Sequence, residues 1–218
     1  VRMVQGAKEQ ALLNLAINKK YGNMLKTAWI DVKKAFDSVD HIYLLKCLER
    51  INFPPWITRF LKDTIAKWKL IIKSGKESIL EKNVKRGILQ GDSLSPLLFV
   101  LCMDPLSRKL STKYNKVSIN TENGMHITNH LLFVDDLKIL AEDECELQAM
   151  MNETKEFFSS IGLEMNKSKS ATNTAECAQD ATLLEGPSTY KYLGIIETAT
   201  STVSSESFEK VRNEILKR

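Results

Sequence analysis

The residues with the clearest potential for chemistry are two adjacent carboxylates, Asp135 and Asp136, between two apolar runs. These runs, 131–134 and 137–140, predict two short strands joined by a tight turn. Such a turn normally carries Asn-Gly or Asp-Gly because it requires a positive φ. Two like charges there also repel each other. Because paired acids are common in surface turns, the pair alone does not define a site.

A third carboxylate, Asp31, lies between Ile30 and Val32 in another short apolar stretch. A charge buried in a strand is costly unless it is paired or binds a metal ion. If the two strand segments lie side by side, Asp31 meets Asp135 and Asp136 at one sheet edge, without an obvious arginine partner. Such a cluster suits Mg²⁺, and two such ions can activate an attacking hydroxyl and stabilise a departing pyrophosphate.

The composition limits the class of protein without identifying it. The chain has 218 residues, of which 43% are hydrophobic and 27% charged, and this excludes a disordered, fibrous or low-complexity protein. The net charge of +4 hides a basic stretch at 59–86 and an acidic one at 142–156. Trp56, Phe60 and Trp68 accompany the basic stretch, which is either a solvated face or a surface for phosphates and stacked bases.

The ends and the cysteines give expectations about cellular context. No N-terminal stretch has the pattern of a secretory signal, and the longest apolar run, 97–103, is too short to span a bilayer. Because the chain lacks an initiator methionine and stops within a predicted helix, we expect an excerpt from a longer polypeptide. Its four widely spaced cysteines predict reduced thiols in an intracellular protein, without a disulfide framework or a zinc site.

Helical and strand patterns alternate without a regular order, which predicts an α+β fold. The predicted elements are a helix at 5–20, a strand at 27–32, a helix capped by Ser38 or Asp40, a helix at 55–68, a hairpin around 74–76, a helix from Ser95 that Pro105 kinks or interrupts, strands at 131–134 and 137–140, a helix at 143–161, and a strand or hairpin at 190–196.

Five segments resemble, in order, motifs A to E of the reverse-transcriptase domain of non-LTR retrotransposons (LINE-like elements). They are WIDVKKAFDS (29–38), GILQGDSLSPLLF (87–99), FVDD (133–136), GLEMNKSKS (162–170) and YKYLGI (190–195). The resemblance implies a right-hand polymerase palm with an antiparallel sheet and flanking helices. The palm would comprise 27–50 and 86–197, partial fingers 1–26 and 51–85, and the start of a truncated thumb 198–218.

The resemblance also implies an RNA-directed DNA polymerase that works by two-metal nucleotidyl transfer, with a role for each matching position. The residues implied to hold two Mg²⁺ ions, for which Mn²⁺ can substitute, are Asp31, Asp135, Asp136 and the carbonyl of Val32. Lys169 matches the residue that protonates the pyrophosphate leaving group, although Lys167 is close enough to be an alternative and a solvated lysine is equally consistent with the sequence.

A second group of positions matches residues that bind nucleotide, template and primer. Phe36 matches the bulky side chain that excludes a 2′-hydroxyl, with core packing as the alternative. Gln90 and Gly91 match the contact to the incoming nucleotide and template, where glycine permits close backbone approach and the amide donates and accepts. Arg86 is a candidate for a phosphate or template contact, and 192–194 match the primer grip.

The implied partners are an RNA template, a DNA primer, deoxynucleoside triphosphates and other domains of the same polypeptide, with no membrane. Target-primed integration implies the nucleus, with the cytoplasm as the alternative. Other readings stay open: a group II intron, retron or telomerase-type enzyme, a domesticated nucleic-acid-binding scaffold, and an RNA-directed RNA polymerase. One departure from the pattern is Val134, where relatives more often carry alanine.

Overall fold

The computed structural model describes residues 6–51, 53–121 and 124–200. Its α-helices are α1 (Ala7–Tyr21), α2 (Ala35–Ser38), α3 (His41–Arg50), α4 (Pro55–Ala66), α5 (Ser95–Lys113) and α6 (Glu144–Ile161). Its strands are β1 (Lys26–Ile30), β2 (Lys69–Ser74), β3 (Glu77–Asn83), β4 (Val117–Thr121), β5 (Gly124–Thr128), β6 (His130–Phe133), β7 (Asp136–Ala141), β8 (Ala171–Thr172), β9 (Thr182–Leu183), β10 (Thr189–Tyr192) and β11 (Ile195–Thr198). In the described part of the chain, no helix combines the length and apolar character that a membrane span requires.

The chain divides into two compact units. Within the described ranges, the first contains 6–32, 106–157 and 165–200, and the second contains 33–105 and 158–164. The assignment of palm, fingers and thumb segments stays a prediction. Most of the predicted thumb start, 201–218, lies outside the described residues.

The first unit is built on a five-stranded sheet in the order β6-β7-β1-β8-β9. All its neighbouring pairs are antiparallel except β8 and β9. β1 lies at the centre, and its last four residues are buried, as expected for a strand with apolar side chains on both faces. In the register, Trp29 faces Lys138 and Ile30 faces Leu137. The carboxyl end of β1 therefore lies beside the amino end of β7.

The core of the first unit joins this sheet to helix α1 and to the hairpins β4–β5 and β10–β11. Its buried members are Ile17, Leu25, Trp29, Val117, Ile119, Leu131, Leu140, Ala171, Leu184 and Tyr192. Burying side chains of this size stabilises a fold by about 1.5–3 kcal/mol each. The N-terminal helix and the last hairpin are thus fixed to the strands that carry the predicted carboxylates.

The second unit contains the helices that follow β1 along the chain. Asp40 caps α3, because its Oδ1 accepts a hydrogen bond of 2.9 Å from the backbone N–H of Tyr43. This selects Asp40 over Ser38, the other predicted cap. The hairpin β2–β3 forms where the turn at 74–76 predicts it, and every residue of both strands is exposed.

Helix α5 differs from the expectation at Pro105, because the helix continues through the proline. The predicted alternative of an interruption is therefore wrong. A proline costs a helix about 3 kcal/mol through one lost backbone hydrogen bond and a steric clash. Buried side chains on both sides of Pro105, including Met103 and Leu106, outweigh that cost by holding the helix in place.

Candidate active site

The sheet register brings two of the three predicted carboxylates to the same place. Ile30 and Leu137 form the last pair between β1 and β7, so the register brings Asp31 opposite Asp136 one position beyond the paired residues. Asp135 precedes Asp136 in the turn that joins β6 to β7. Three carboxylates therefore lie at one end of the central strand pair.

The turn itself is displaced by one residue from its predicted position. Phe133 pairs with Asp136, so Val134 and Asp135 are the central residues and Asp136 belongs to β7. Val134 has φ +57°, a conformation that is rare for a β-branched residue. Positive φ at the first central position alone is typical of a II′ turn, which suits the twist of a hairpin. The strand pairing imposes this strained conformation on a residue that does not favour it.

The three carboxylates lack compensating partners. Among the described residues, no hydrogen bond or ion pair engages the carboxylate group of Asp31, Asp135 or Asp136. The pKa of Asp136 is raised above its ordinary value, first because its carboxyl group is partly withdrawn from water and then because of the charges of Asp135 and Asp31. This end of the strand pair therefore favours the binding of positive charge.

The loop after α6 fixes the backbone of Asp31. The N–H of Asp31 donates to Oγ of Ser170 over 3.0 Å, and its carbonyl accepts from the N–H of Asn166 over 2.8 Å. Val32 pairs with Met165 in an isolated β-bridge. The segment that resembles motif D therefore positions the carboxylate of motif A.

Lys169, the predicted proton donor, lies on that same loop. Its N–H donates to the carbonyl of Asn166 over 3.1 Å, and its side chain is exposed. Lys167 is exposed on the same turn. The structure therefore places both lysines on the loop that holds Asp31 and leaves both as candidates.

The donor atoms at this site suit a divalent cation. Across the ranges that the structure describes, no three side chains of His, Cys, Asp or Glu lie close enough together to form a metal cage by themselves. Mg²⁺ does not need one, because it is usually held by one or two carboxylates and completes its shell with water and substrate phosphates. Asp31 and Asp136, together with Asp135 in the turn, carry carboxylate oxygens of this kind.

The hairpin β10–β11 lies against the same strands. The ring of Tyr190 stacks on Trp29 with 5.6 Å between centroids. Burial raises the pKa of Tyr190, and the charges of Asp31 and Asp136 raise it further. Tyr192 is buried, and its hydroxyl donates to the carbonyl of Leu131 over 3.3 Å. The segment that resembles the primer grip is therefore close to the carboxylates.

The predicted nucleotide-binding residues belong to the second unit. Phe36 is half-buried and stacks on Phe99, with centroids 5.0 Å apart. Gln90 and Gly91 form an exposed turn before α5. Gly91 has φ +89°, and an added Cβ there would meet no atom within 4 Å. Its surroundings are therefore open to a ligand.

Arg86, the candidate for a phosphate contact, is exposed and belongs to the second unit. A Cβ added to Gly162 would collide with an Nη of Arg86, and the backbone of Arg86 pairs with Asp40. Its guanidinium therefore covers the glycine that ends α6, and the predicted phosphate contact stays a prediction.

The basic stretch comprises most of α4 and the hairpin β2–β3. Trp56 and Phe60 on α4 are 71% and 61% exposed, and Trp68 contacts His41 edge-on at 5.7 Å. Exposed aromatic rings among basic side chains are what a nucleic-acid surface requires. Both alternatives given for this stretch stay open.

The sequence reasoning missed one buried polar network. Lys138 and Glu197 form an ion pair of 2.9 Å with both side chains 0% exposed. Asn14 and Asn18 on α1 complete the network. The available signal was a single charge in the apolar run 137–140, which is the same signal that singled out Asp31.

The comparisons with known proteins agree with the motif resemblance. A family model described as "Reverse transcriptase (RNA-dependent DNA polymerase)" matches residues 6–196. The "Retrovirus-related Pol polyprotein from type-2 retrotransposable element R2DM" of Drosophila melanogaster is 33% identical over 199 residues, which are 84% of this chain and 18% of that protein. A Pol polyprotein from a type-1 retrotransposable element R2 of Nasonia vitripennis is 32% identical over 173 residues, covering 78% of this chain and 16% of that protein. The chain thus spans less than a fifth of these two relatives.

Solved structures with a similar fold include telomerases. Telomerase from Candida albicans in complex with a fragment of telomeric RNA matches this chain with a TM-score of 0.63 and 15% sequence identity. The match covers 91% of this chain and 33% of the telomerase chain. Apo telomerase from Candida tropicalis has a TM-score of 0.63 at 14% identity, covering 91% and 35%. At this identity the likeness concerns the fold alone. It confirms the predicted α+β palm fold with an antiparallel sheet and flanking helices.

Proposed function

We propose, since this chain belongs to the reverse transcriptase (RNA-dependent DNA polymerase) family, that it contains the catalytic centre of an RNA-directed DNA polymerase that copies retroelement RNA into DNA. The pairing register of β1 and β7 carries the proposal, because it sets Asp31 opposite Asp136, which directly follows Asp135 in the turn. No described residue neutralises these carboxylates, as expected for groups that bind a cation.

In this proposal the carboxylates and the Val32 carbonyl hold divalent cations, two Mg²⁺ ions with Mn²⁺ as a substitute. Bound there, such ions activate a hydroxyl nucleophile and neutralise charge on phosphate oxygens. The 3′-hydroxyl of the primer releases its proton to water, and its oxygen attacks the α-phosphorus of a deoxynucleoside triphosphate in line, so a new P–O bond forms and the bond to pyrophosphate breaks. The exposed ammonium of Lys169, or of Lys167, donates a proton to the departing pyrophosphate.

The proposed substrates follow from the other matched positions. An RNA template, a DNA primer and deoxynucleoside triphosphates are the proposed partners, together with other domains of the same polypeptide. Phe36 excludes the 2′-hydroxyl of a ribonucleotide, and Gln90 and Gly91 contact the incoming nucleotide. Nuclear localisation, with target-primed integration, is part of the proposal and is tested by microscopy of the tagged full-length protein.

The experiment is primer extension on an RNA template by the full-length polypeptide. Asp135→Asn and Asp31→Asn each remove one anionic ligand, and we expect a loss of about 3 kcal/mol or more of transition-state stabilisation, which is a rate decrease of roughly a hundredfold or more. Glu142→Gln is the matched control, because Glu142 is exposed immediately after the opposite end of β7 and its loss leaves extension unchanged. Near-normal extension by Asp135→Asn would refute the proposal, and nucleic-acid binding without extension by the unmodified protein would favour a scaffold.

A further inference from the structure

The Lys138 network connects four elements of the first unit that are far apart in sequence. Lys138 lies on β7, Glu197 on β11, Trp29 on β1, and Asn14 and Asn18 on α1. All five residues are buried, and both charged side chains are 0% exposed. We call these five residues the Lys138 latch.

Each charged group of the latch has a full set of partners. The three N–H donors of the Lys138 ammonium reach Asn14 Oδ1 at 2.7 Å, Glu197 Oε2 at 2.9 Å and Asn18 Oδ1 at 3.1 Å. The ammonium also lies 5.1 Å from the ring centre of Trp29. An ammonium has three donors, so none is left unpaired.

Both carboxylate oxygens of Glu197 also accept hydrogen bonds from the network. Its Oε1 accepts from Nδ2 of Asn14 at 2.5 Å and from Nδ2 of Asn18 at 2.6 Å. Its Oε2 accepts from Nε1 of Trp29 at 2.7 Å as well as from Lys138. Because every one of these bonds requires a particular position of β11 and α1, the network fixes their register on the sheet.

The latch lies on the same face as the carboxylates. Trp29 and Lys138 are opposite each other in the register, and alternate residues of a strand point to the same face. The pair Asp31 and Asp136 is two residues further along, a distance of about 7 Å at roughly 3.3 Å per residue. The latch is therefore the layer of side chains next to the carboxylates.

We propose that the Lys138 latch is a positioning device of the polymerase centre, which holds the β10–β11 hairpin and α1 against the strands that carry Asp31 and Asp136. This inference rests on the proposed function, because it assigns the hairpin to the primer terminus. The latch touches no substrate in this scheme and acts through the hairpin, whose Tyr190 also stacks on Trp29.

Stability alone does not account for this arrangement. A buried ion pair is a weak stabiliser, since replacing it with apolar residues of similar volume is often neutral or favourable. The distinctive property of the latch is its directionality: seven polar contacts set one arrangement of β11 and α1, which an apolar cluster would not specify.

Two double variants of the full-length polypeptide separate these roles. Lys138→Met/Glu197→Met removes both charges and all hydrogen bonds of Glu197 while keeping similar volume. Lys138→Met/Glu197→Gln also removes the charges, but its amide can still accept from Trp29 and bond to Asn14 and Asn18. The matched control is Lys26→Met/Glu144→Gln, which removes a partly exposed ion pair of 2.7 Å at the other end of β1.

The first readout is single-nucleotide primer extension by folded enzyme. We expect the Met/Met variant to extend at least about tenfold more slowly at saturating nucleotide, with the nucleotide KM changed by less than about twofold, because misplacement of a primer lowers the rate of the chemical step. The Met/Gln variant recovers most of the rate, and the control variant matches the unmodified protein. Equal rates for the Met/Met variant and the unmodified protein, or no recovery in the Met/Gln variant, would overturn the proposal.

The second readout is hydrogen exchange, which does not depend on activity. Amides of 189–198 exchange at least about tenfold faster in the Met/Met variant, while those of α3 keep their protection. Unchanged exchange at 189–198 would overturn the latch, as would an equal loss of protection at α3, which indicates general destabilisation. If the unmodified protein extends no primer while the exchange pattern holds, the proposed function fails and the structural latch stands.

Discussion

Gly87, at the start of the segment that resembles motif B, is under a steric restriction that a matched substitution can measure. It has φ +88°, and an added Cβ would lie 2.7 Å from the carbonyl oxygen, 2.8 Å from Cα and 2.9 Å from the carbonyl carbon of Asp37. All three are backbone atoms that cannot turn away. We therefore expect Gly87→Ala to separate this segment from the backbone around Asp37.

The size of the effect follows from two contributions. A non-glycine residue at positive φ costs about 1–2 kcal/mol, and forcing an extra carbon into a packed site costs about 1–3 kcal/mol. Moving the two segments apart would stretch two backbone hydrogen bonds. Gly87 N–H donates to the Val39 carbonyl over 2.8 Å, and Ile88 N–H donates to the Phe36 carbonyl over 2.7 Å. We expect Gly87→Ala to destabilise this region by about 2–5 kcal/mol.

Gly91 provides the control, because its φ of +89° is nearly the same and an added Cβ meets nothing within 4 Å. Gly91→Ala therefore has the conformational cost alone, about 1–2 kcal/mol. The difference in cost between the two variants can be measured by hydrogen exchange. We expect the amides of residues 87 and 88 to exchange roughly 10- to 100-fold faster in Gly87→Ala than in Gly91→Ala. In primer extension we expect Gly91→Ala to lose activity beyond its loss of stability, since its open side is assigned to the nucleotide. Equal exchange in the two variants would refute the steric argument.

Three further predictions concern other residues of the chain. Burial lowers the pKa of His130 from 6.5 to about 4. Between these pH values the unfolded chain binds more protons than the folded one, so the free energy of unfolding falls by up to about 3 kcal/mol as the pH is lowered through this range. The melting temperature of His130→Gln should therefore depend less steeply on pH in this range, and an unchanged dependence would contradict this. Ser170→Ala leaves the N–H of Asp31 without its partner at a cost of about 1–3 kcal/mol. We therefore expect half-maximal extension to need a higher Mg²⁺ concentration than in the exposed control Ser168→Ala, and identical Mg²⁺ titrations would exclude the positioning role of Ser170. Phe36→Val should reduce discrimination against ribonucleotides by about tenfold or more in competition extension assays, and undiminished discrimination would leave Phe36 with a packing role only.

Much of the frame of the site could be predicted because it depends on local patterns. The cap of α3 at Asp40, the hairpin at 74–76 and the short strand before Asp31 follow from neighbouring residues alone. The five ordered motifs then relate these elements to a known family, whose fold is confirmed. The side-by-side arrangement of β1 and β7 needed this order, since nothing local specifies which strand pairs with which.

The details that escaped prediction depend on contacts between distant residues. Val134 occupies the turn because the pairing of Phe133 with Asp136 requires it, against its own preference for negative φ. Leu193 likewise has φ +46° in the turn between β10 and β11. The position of Arg86 over Gly162 is equally invisible in the sequence, because it is set by the end of a helix some seventy-six residues later.

Asp31 and Lys138 show why a lone charge in an apolar strand has two physical outcomes. Both are charges within short apolar runs, and both would be costly if they were buried without partners. Lys138 is fully buried and meets Asn14, Asn18 and Glu197, which are 124, 120 and 59 residues away. Asp31 lies just past its strand and meets further negative charge.

The partners available to each charge decide whether it positions other parts of the protein, as Lys138 does, or is available to bind a ligand, as Asp31 is. A charge whose hydrogen-bonding capacity is filled by the protein has none left for a ligand, so Lys138 can only orient the elements that satisfy it. Partial burial and the charges of Asp135 and Asp31 raise the pKa of Asp136, and a carboxylate in such surroundings is stabilised when a cation arrives. We therefore expect Mg²⁺ to raise the melting temperature of the full-length protein, and Asp31→Asn to reduce that increase by removing a ligand. The Met/Met variant of the latch should retain the increase, because its carboxylates are intact; loss of the increase in that variant would show that the latch also shapes the cation site.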